Sequence, residues 1–65
     1  MDIAQEIERV LKEKPYGLSI EEVSQALKIN RSTASKYLFA MGAEKRVVVR
    51  EIGKVKLHYP GGVKL

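Results

Sequence analysis

The apolar residues of this 65-residue chain change their spacing once, after Met41. Up to that point they recur every three or four residues in three short segments, which is the period of a helix with one buried face. Beyond it, residues 47–49 are all β-branched, and residues 55–59 alternate apolar with polar side chains, as in a half-buried strand. The order of these segments predicts a small α+β domain with three helices followed by a C-terminal β-hairpin.

Residues that favour helix caps mark where each helix begins. Asp2 can cap the first helix, and Ser19 and Glu22 have the spacing of a capping box for the second. Asn30 is a favourable N-cap for a third helix over residues 31–43. The apolar positions expected to be buried are Ile3, Ile7, Val10 and Leu11 on the first helix, Ile20, Val23, Ala26 and Leu27 on the second, and Ala34, Tyr37, Leu38 and Met41 on the third.

A turn over residues 52–54 separates the two strands of the predicted hairpin. A shift of one residue in the pairing would exchange the faces of the first strand, because side chains alternate between faces. Residues 60–62, Pro-Gly-Gly, would end the second strand, so the domain would cover residues 1–59 and a flexible tail residues 60–65. The side chains expected inside are Val47, Val49, Leu57 and Tyr59, and those expected outside are Lys54, Lys56 and His58.

The two halves of the chain carry opposite charge. Residues 1–30 contain six acidic and four basic residues, a net charge of −2, whereas residues 31–65 contain eight basic and two acidic residues, a net charge of +6. A basic half on a small domain is typical of a protein whose partner is a polyanion. Charge alone leaves open a solvated basic surface without a partner.

The second and third predicted helices are separated only by residues 28–30, as in a helix-turn-helix, whose second helix enters the major groove of DNA. Hydroxyl groups opposite the buried stripe of the third helix can bond to base edges or phosphates, and a cation can pair with guanine or phosphate. An ordinary capped helix start is the alternative explanation for residues 31–33. The candidate DNA-binding residues on this helix are Arg31, Ser32, Thr33, Ser35 and Lys36.

Phe39 projects from the same outward face as Ser32 and Lys36. A ring there has three explanations, which are contact with a thymine methyl group, contact within a dimer, and packing back onto the hairpin. We expect the third, because large apolar side chains usually find cover.

Four stretches of the chain resemble archaeal winged helix-turn-helix domains, namely GLSIEEV at 17–23, NRSTASKYL at 30–38, VVVR at 47–50 and GKVKL at 53–57. The resemblance covers about residues 3–59 and is closest to the domains that open methanogen transcription regulators, often ahead of a sensor domain. It implies three helices, a short strand near Leu18 that pairs with the hairpin, and a wing at the hairpin tip. It also implies that the third helix reads the major groove while the wing, over residues 51–56, lies along the backbone or in the minor groove.

The wing adds further cations to the candidate site. The candidate DNA-binding residues on the hairpin are Arg50, Lys54 and Lys56.

Glycine is common in such domains at the positions of Lys28 and Lys45, and a positive φ at Lys28 would cost about 1 kcal/mol.

An enzyme is the first alternative, and the residues do not favour it. His58 is the only histidine, the chain has no cysteine, and Gly61-Gly62 is not followed by a helix as in a phosphate-binding loop. We therefore expect no catalytic residue, no cofactor, no metal and no small-molecule substrate. No apolar run approaches the length of a transmembrane helix, so we expect a cytoplasmic protein that does not act at a membrane.

A winged helix that mediates protein–protein interaction or dimerisation without binding DNA is the second alternative. The basic half favours double-stranded DNA, and RNA is less favoured because a helix cannot read the narrow major groove of A-form RNA. A single domain of this size contacts one half-site, so specificity would need a homodimer or an attached sensor domain. The sequence thus predicts the DNA-binding domain of a transcription regulator.

Overall fold

Three helices and one β-hairpin follow one another along the chain. The computed structural model describes residues 2–14 and 16–61. The elements are α1 (Ile3–Glu13), α2 (Ile20–Leu27), α3 (Arg31–Ala43), β1 (Val47–Ile52) and β2 (Val55–Pro60), and the strands pair antiparallel. This confirms the predicted α+β class. Among the residues described, no helix is long and apolar enough to cross a membrane.

Each helix begins at the predicted cap. The Asp2 carboxylate accepts a hydrogen bond from the Ala4 amide at 3.0 Å. At α2 the Ser19 hydroxyl accepts from the Glu22 amide at 3.2 Å while the Glu22 carboxylate accepts from the Ser19 amide at 3.0 Å, a complete capping box. The Asn30 side chain accepts from the Ser32 amide at 2.9 Å. These local bonds satisfy amides that a helix start leaves unpaired.

The turn between α2 and α3 is made by a lysine in the left-handed conformation. Lys28 has a φ of 56°, and Lys45, after α3, has a φ of 63°. A lysine in this conformation costs about 1 kcal/mol relative to an unstrained residue. The tight turn at Lys28 sets α3 across α2 and leaves the outer face of α3 uncovered.

The core joins all three helices to the start of the hairpin. Its members are Ile7, Val10, Leu11, Leu18, Val23, Ala34, Leu38, Met41 and Val47. Two predictions for this core are wrong, since Ala26 is exposed and Tyr37 is 36% exposed. The buried face of α2 is turned toward Ser24, which is buried and donates its hydroxyl to the Glu21 carbonyl at 2.8 Å. On α3 only Ala34, Leu38 and Met41 are buried, and Tyr37 lies at the edge of this buried face.

The hairpin faces differ from the prediction at two positions. Val49 is 45% exposed and His58 is buried at 3%. In the observed register Val49 lies opposite His58 and Val48 opposite Tyr59, so His58 shares the face of Val47 and Val49. Leu57 and Tyr59 lie on the opposite face, so the prediction that these two share one inner face with Val47 and Val49 is wrong. His58 lies on β2, which pairs with Leu18 on the edge away from β1, so its side chain is covered. Val49 lies opposite it on β1, the outer strand, and stays exposed. Lys54 and Lys56 are exposed, as predicted.

A single bridge ties the hairpin to the segment before α2. The Leu18 amide donates to the His58 carbonyl at 3.1 Å, and the His58 amide donates to the Leu18 carbonyl at 2.7 Å. This is the short strand that the resemblance implied near Leu18. Next to it, Gly17 has a φ of 97°, and a Cβ there would lie 2.8 Å from the Tyr59 ring, so a larger residue does not fit.

The end of the hairpin extends slightly past residue 59. Pro60 is the last residue of β2, and the Gly61 amide donates to the Arg46 carbonyl at 2.9 Å. Residues 62–65, the rest of the tail predicted over 60–65, lie outside the described residues.

The buried imidazole of His58 makes the stability of the fold dependent on pH. Its Nδ1 lies 2.8 Å from the Leu18 carbonyl oxygen, to which it donates a hydrogen bond. Burial lowers the pKa of His58 below its ordinary value of 6.5, and the Lys56 charge lowers it further, while the bond to Leu18 opposes both. At pH values between the lowered pKa and 6.5, the unfolded chain therefore binds a proton at His58 that the folded chain excludes.

We therefore expect the free energy of unfolding to fall as the pH drops below about 6.5, by at most ~1.4 kcal/mol per pH unit. The loss should stop once the pH passes below the pKa of folded His58. Urea unfolding at about pH 7 and about pH 5 measures this window, in which carboxylates titrate little. Because His58 is the only histidine, His58→Gln should remove the dependence. An equal fall in the variant would contradict the assignment.

Candidate nucleic-acid interface

The outer face of α3 is set by the residues that anchor its inner face. Ala34, Leu38 and Met41 are buried at 0–2% exposure and fix the rotation of the helix. Ser32 and Lys36 are exposed on the opposite side, as predicted from the 100° step between helical residues. This face presents a hydroxyl and a cation to solvent.

The remaining candidates on α3 lie on its two flanks. Arg31 and Ser35 are exposed on the flank next to the hairpin, and Thr33 is half-buried on the other flank. Thr33 therefore has the least accessible side chain of the five candidates on this helix.

A groove between α3 and the hairpin tip brings together cations from two separate segments. This wing groove has a volume of about 380 Å³ and is lined by Arg31 of α3, by Lys54 and Lys56 of the hairpin, and by Ser19 and Glu21 at the start of α2. Three of the eight candidate residues thus share one concave surface. The N-terminus of α2 adds a positive partial charge there, and the Glu21 carboxylate opposes it.

A second, smaller depression continues along α3 from the wing groove. Its volume is about 130 Å³, and Ser35, Phe39, Val49, Lys56 and His58 are among its lining residues. Because Lys56 lines both depressions, Ser35 is connected to the wing groove through it.

Four candidates line neither depression, and Thr33, on the far flank of α3, is one of them. Ser32 and Lys36 lie on the outer face of α3, and Arg50 lies on the other face of the hairpin. Arg50 is paired with Leu57, whereas the neighbouring pair is Val49 with His58, and successive residues of a strand point to opposite faces. The structure therefore does not bring Arg50 together with Lys56.

Cations on this surface are free of acidic partners. Over residues 2–14 and 16–61, no salt bridge involves Arg31, Lys36, Arg50, Lys54 or Lys56. Such side chains keep their charge available for an external anion.

Arg46 shows the contrasting case within the basic half. Its Nε donates to the Glu8 carboxylate at 2.9 Å, a second nitrogen contacts the same oxygen, and Glu44 lies 3.6 Å away. The hydrogen bond to Glu8 raises the pKa of Arg46 above its ordinary value. Arg46 thus ties α1 to the start of the hairpin, and the net charge of residues 31–65 overstates the charge available to a ligand.

The prediction that Phe39 packs onto the hairpin is wrong. Its side chain is 82% exposed at the edge of an open groove of about 450 Å³ that is lined by residues of α3 and β1. Phe39, Gly42, Ala43, Val47 and Val49 are among the residues that line this apolar groove.

Sequence reasoning missed two further parts of this surface. The exposure of Tyr37 was missed because its spacing fits the buried stripe, although its hydroxyl favours a position at the edge of the core. Ser19 and Glu21 line the wing groove only because α2 packs beside the hairpin, and no local pattern signals that contact. Among the described residues, no group of three or more His, Cys, Asp or Glu side chains could hold a metal ion.

Comparison with known proteins supports the fold. No protein-family model and no curated protein matches the chain. Reduced HlyU from Vibrio cholerae superposes with a TM-score of 0.82 at 19% identity, covering 97% of this chain and 64% of that one. The transcriptional regulator SlyA superposes with a TM-score of 0.77 at 22% identity, covering 92% of this chain and 43% of that one. The chain has the small winged helix-turn-helix fold and spans less than two thirds of each neighbour.

Proposed function

We propose that the chain is a double-stranded DNA-binding domain of a transcription regulator. In this proposal α3 reads the major groove and the wing, residues 51–56, contacts the sugar-phosphate backbone. The observation that carries it is the wing groove, in which Arg31 meets Lys54 and Lys56 beside the open outer face of α3. The fold shared with the transcriptional regulator SlyA adds support.

The chemistry of the wing groove suits a phosphate better than a neutral ligand. Guanidinium and ammonium groups with no acidic partner gain from pairing with phosphate, and the first turns of α2 and α3 favour an anion. With phosphates held there, Ser32 and Lys36 on the outer face of α3 would be the residues directed at base edges. Arg50, on the other face of the hairpin, would contact DNA only if the wing enters the minor groove.

The proposal is a binding module and not an enzyme, with no cofactor. Contact with a second half-site would come from a homodimer or from an attached sensor domain that brings two copies together. The resemblance to archaeal regulators remains a prediction, since one of the structural neighbours comes from Vibrio cholerae.

A protein-interaction module without DNA binding is the second candidate, because the apolar groove beside Phe39 is open. The two functions differ in their response to salt. If about four phosphates are contacted, by Arg31, Lys36, Lys54 and Lys56, the logarithm of the association constant should fall against the logarithm of salt concentration with a slope of about −3.6. Affinity that does not depend on salt, or no binding at low salt, would favour the protein-interaction module.

Lys54→Ala tests the wing separately. The variant should lower affinity about equally for all DNA sequences and flatten the slope by about one unit, because one phosphate contact is lost. Fluorescence anisotropy with a labelled duplex measures both quantities. Lys12→Ala, which removes an exposed lysine of α1, is the matched control and should leave the slope unchanged. If Lys54→Ala behaves like Lys12→Ala, the hairpin only covers the core and does not belong to the site.

A further inference from the structure

Phe39 and Val49 form an apolar notch within a surface that is otherwise cationic and hydroxylated. Phe39 is 82% exposed and Val49 is 45% exposed, and both line the depression that also contains Ser35 and Lys56. Phe39 follows Lys36 by three residues on a helix, so the two side chains are neighbours on the outer face. The notch is therefore part of the proposed DNA-facing surface and not a separate patch.

The flanking lysines indicate which partner covers the notch. The core of a protein–protein interface is depleted of lysine, because burying an ammonium group without a partner is unfavourable. A protein that covered Phe39 and Val49 would have to bury Lys36 or Lys56, neither of which forms a salt bridge within the described residues, although Glu51 lies opposite Lys56 in the hairpin. Duplex DNA can contact both kinds of side chain, since its phosphates pair with the lysines while its major groove presents apolar methyl groups to Phe39 and Val49.

We propose that Phe39, supported by Val49, contacts the C5-methyl group of thymine in the major groove and so gives this domain a preference for thymine. The proposal rests on the proposed DNA-binding function and adds a specificity-determining contact to it. Thymine presents a methyl group on its major-groove edge, and phenylalanine is among the side chains that contact it. The exposure of the Phe39 ring is then explained, because the thymine methyl group covers the ring when DNA binds.

Replacement of thymine by deoxyuridine tests the contact, since it removes the methyl group and keeps the base pairing. Two short duplexes of the same sequence of A and T, one with thymine and one with deoxyuridine throughout, are titrated by anisotropy at low salt. The wild-type protein should bind the thymine duplex about fourfold more tightly for each methyl group contacted, the factor expected for one buried carbon. Phe39→Ala should bind both duplexes equally, and its thermal midpoint should match that of the wild type because Phe39 is exposed.

A matched control separates the role of this ring from that of any exposed aromatic residue. Tyr16 is 65% exposed and lines a different depression, so Tyr16→Ala should keep the wild-type ratio between the duplexes. Equal wild-type binding to both duplexes with a normal salt slope would overturn this proposal and leave the DNA-binding function intact. No binding to either duplex at low salt would overturn both. A wild-type dimer that Phe39→Ala converts to a monomer, with the ratio unchanged, would assign the notch to self-association instead.

Discussion

Ala34→Glu is expected to leave the chain unfolded. Ala34 is fully buried in the core that joins α3 to the other helices. A glutamate there must place a methylene group and an unpaired carboxylate where only a methyl group fits. Burial of an unpaired charge costs several kcal/mol, which exceeds the ~3–5 kcal/mol that a core of this size supplies. Circular dichroism should show loss of helix and no cooperative thermal transition.

Ala40→Glu is the matched control for this substitution. It makes the same chemical change on the same helix at an exposed position, and it should keep a cooperative transition close to that of the wild type. A folded Ala34→Glu protein together with an unfolded Ala40→Glu protein would mean that the rotation of α3 is wrong. The assignment of Ser32 and Lys36 to the outer face would then fail as well.

Simultaneous replacement of Arg31, Lys54 and Lys56 by alanine is expected to have the largest effect on binding. These are the three cations of the wing groove, and each phosphate contact contributes about eightfold to affinity at about 0.1 M salt. Loss of all three should weaken binding to any duplex by roughly 500-fold, and the slope against salt should fall to about −0.9. All three side chains are exposed, so the thermal midpoint should change little.

Removal of three other lysines controls for net charge. Lys12 and Lys45 line a separate depression with Glu8, and Lys14 follows α1, so Lys12→Ala, Lys14→Ala and Lys45→Ala together give the same charge without touching the wing groove. We expect this triple variant to keep most of the wild-type slope. If the two triple variants weaken binding equally, the protein binds DNA through its overall charge and the wing groove has no special role.

The helices could be predicted because their signals are local. Asp2, Ser19 and Asn30 act on amides two or three residues away, so sequence spacing alone places them. The apolar stripe of α3 similarly fixed its rotation, and with it the exposure of Ser32 and Lys36.

The hairpin and the wing groove depend on contacts between distant residues. His58 is buried because its register places it against Leu18, and Arg46 is paired with Glu8, 38 residues earlier. Neither contact has a pattern in the sequence on either side of it. Arg31 and Lys54 likewise line one groove only because the start of α3 lies near the hairpin tip. The sequence therefore identified these candidate residues but could not predict that they lie together.

Residue-resolved titration of duplex DNA into the ¹⁵N-labelled protein tests the central claim most directly. If α3 and the wing bind DNA, amide shifts at low salt should concentrate on the first half of α3, including Arg31 and Ser35, and on residues 51–56. The amides of α1 (Ile3–Glu13) should remain unchanged, because that helix lies on the other side of the core. Shifts confined to α1, or no shifts at low salt, would contradict the account.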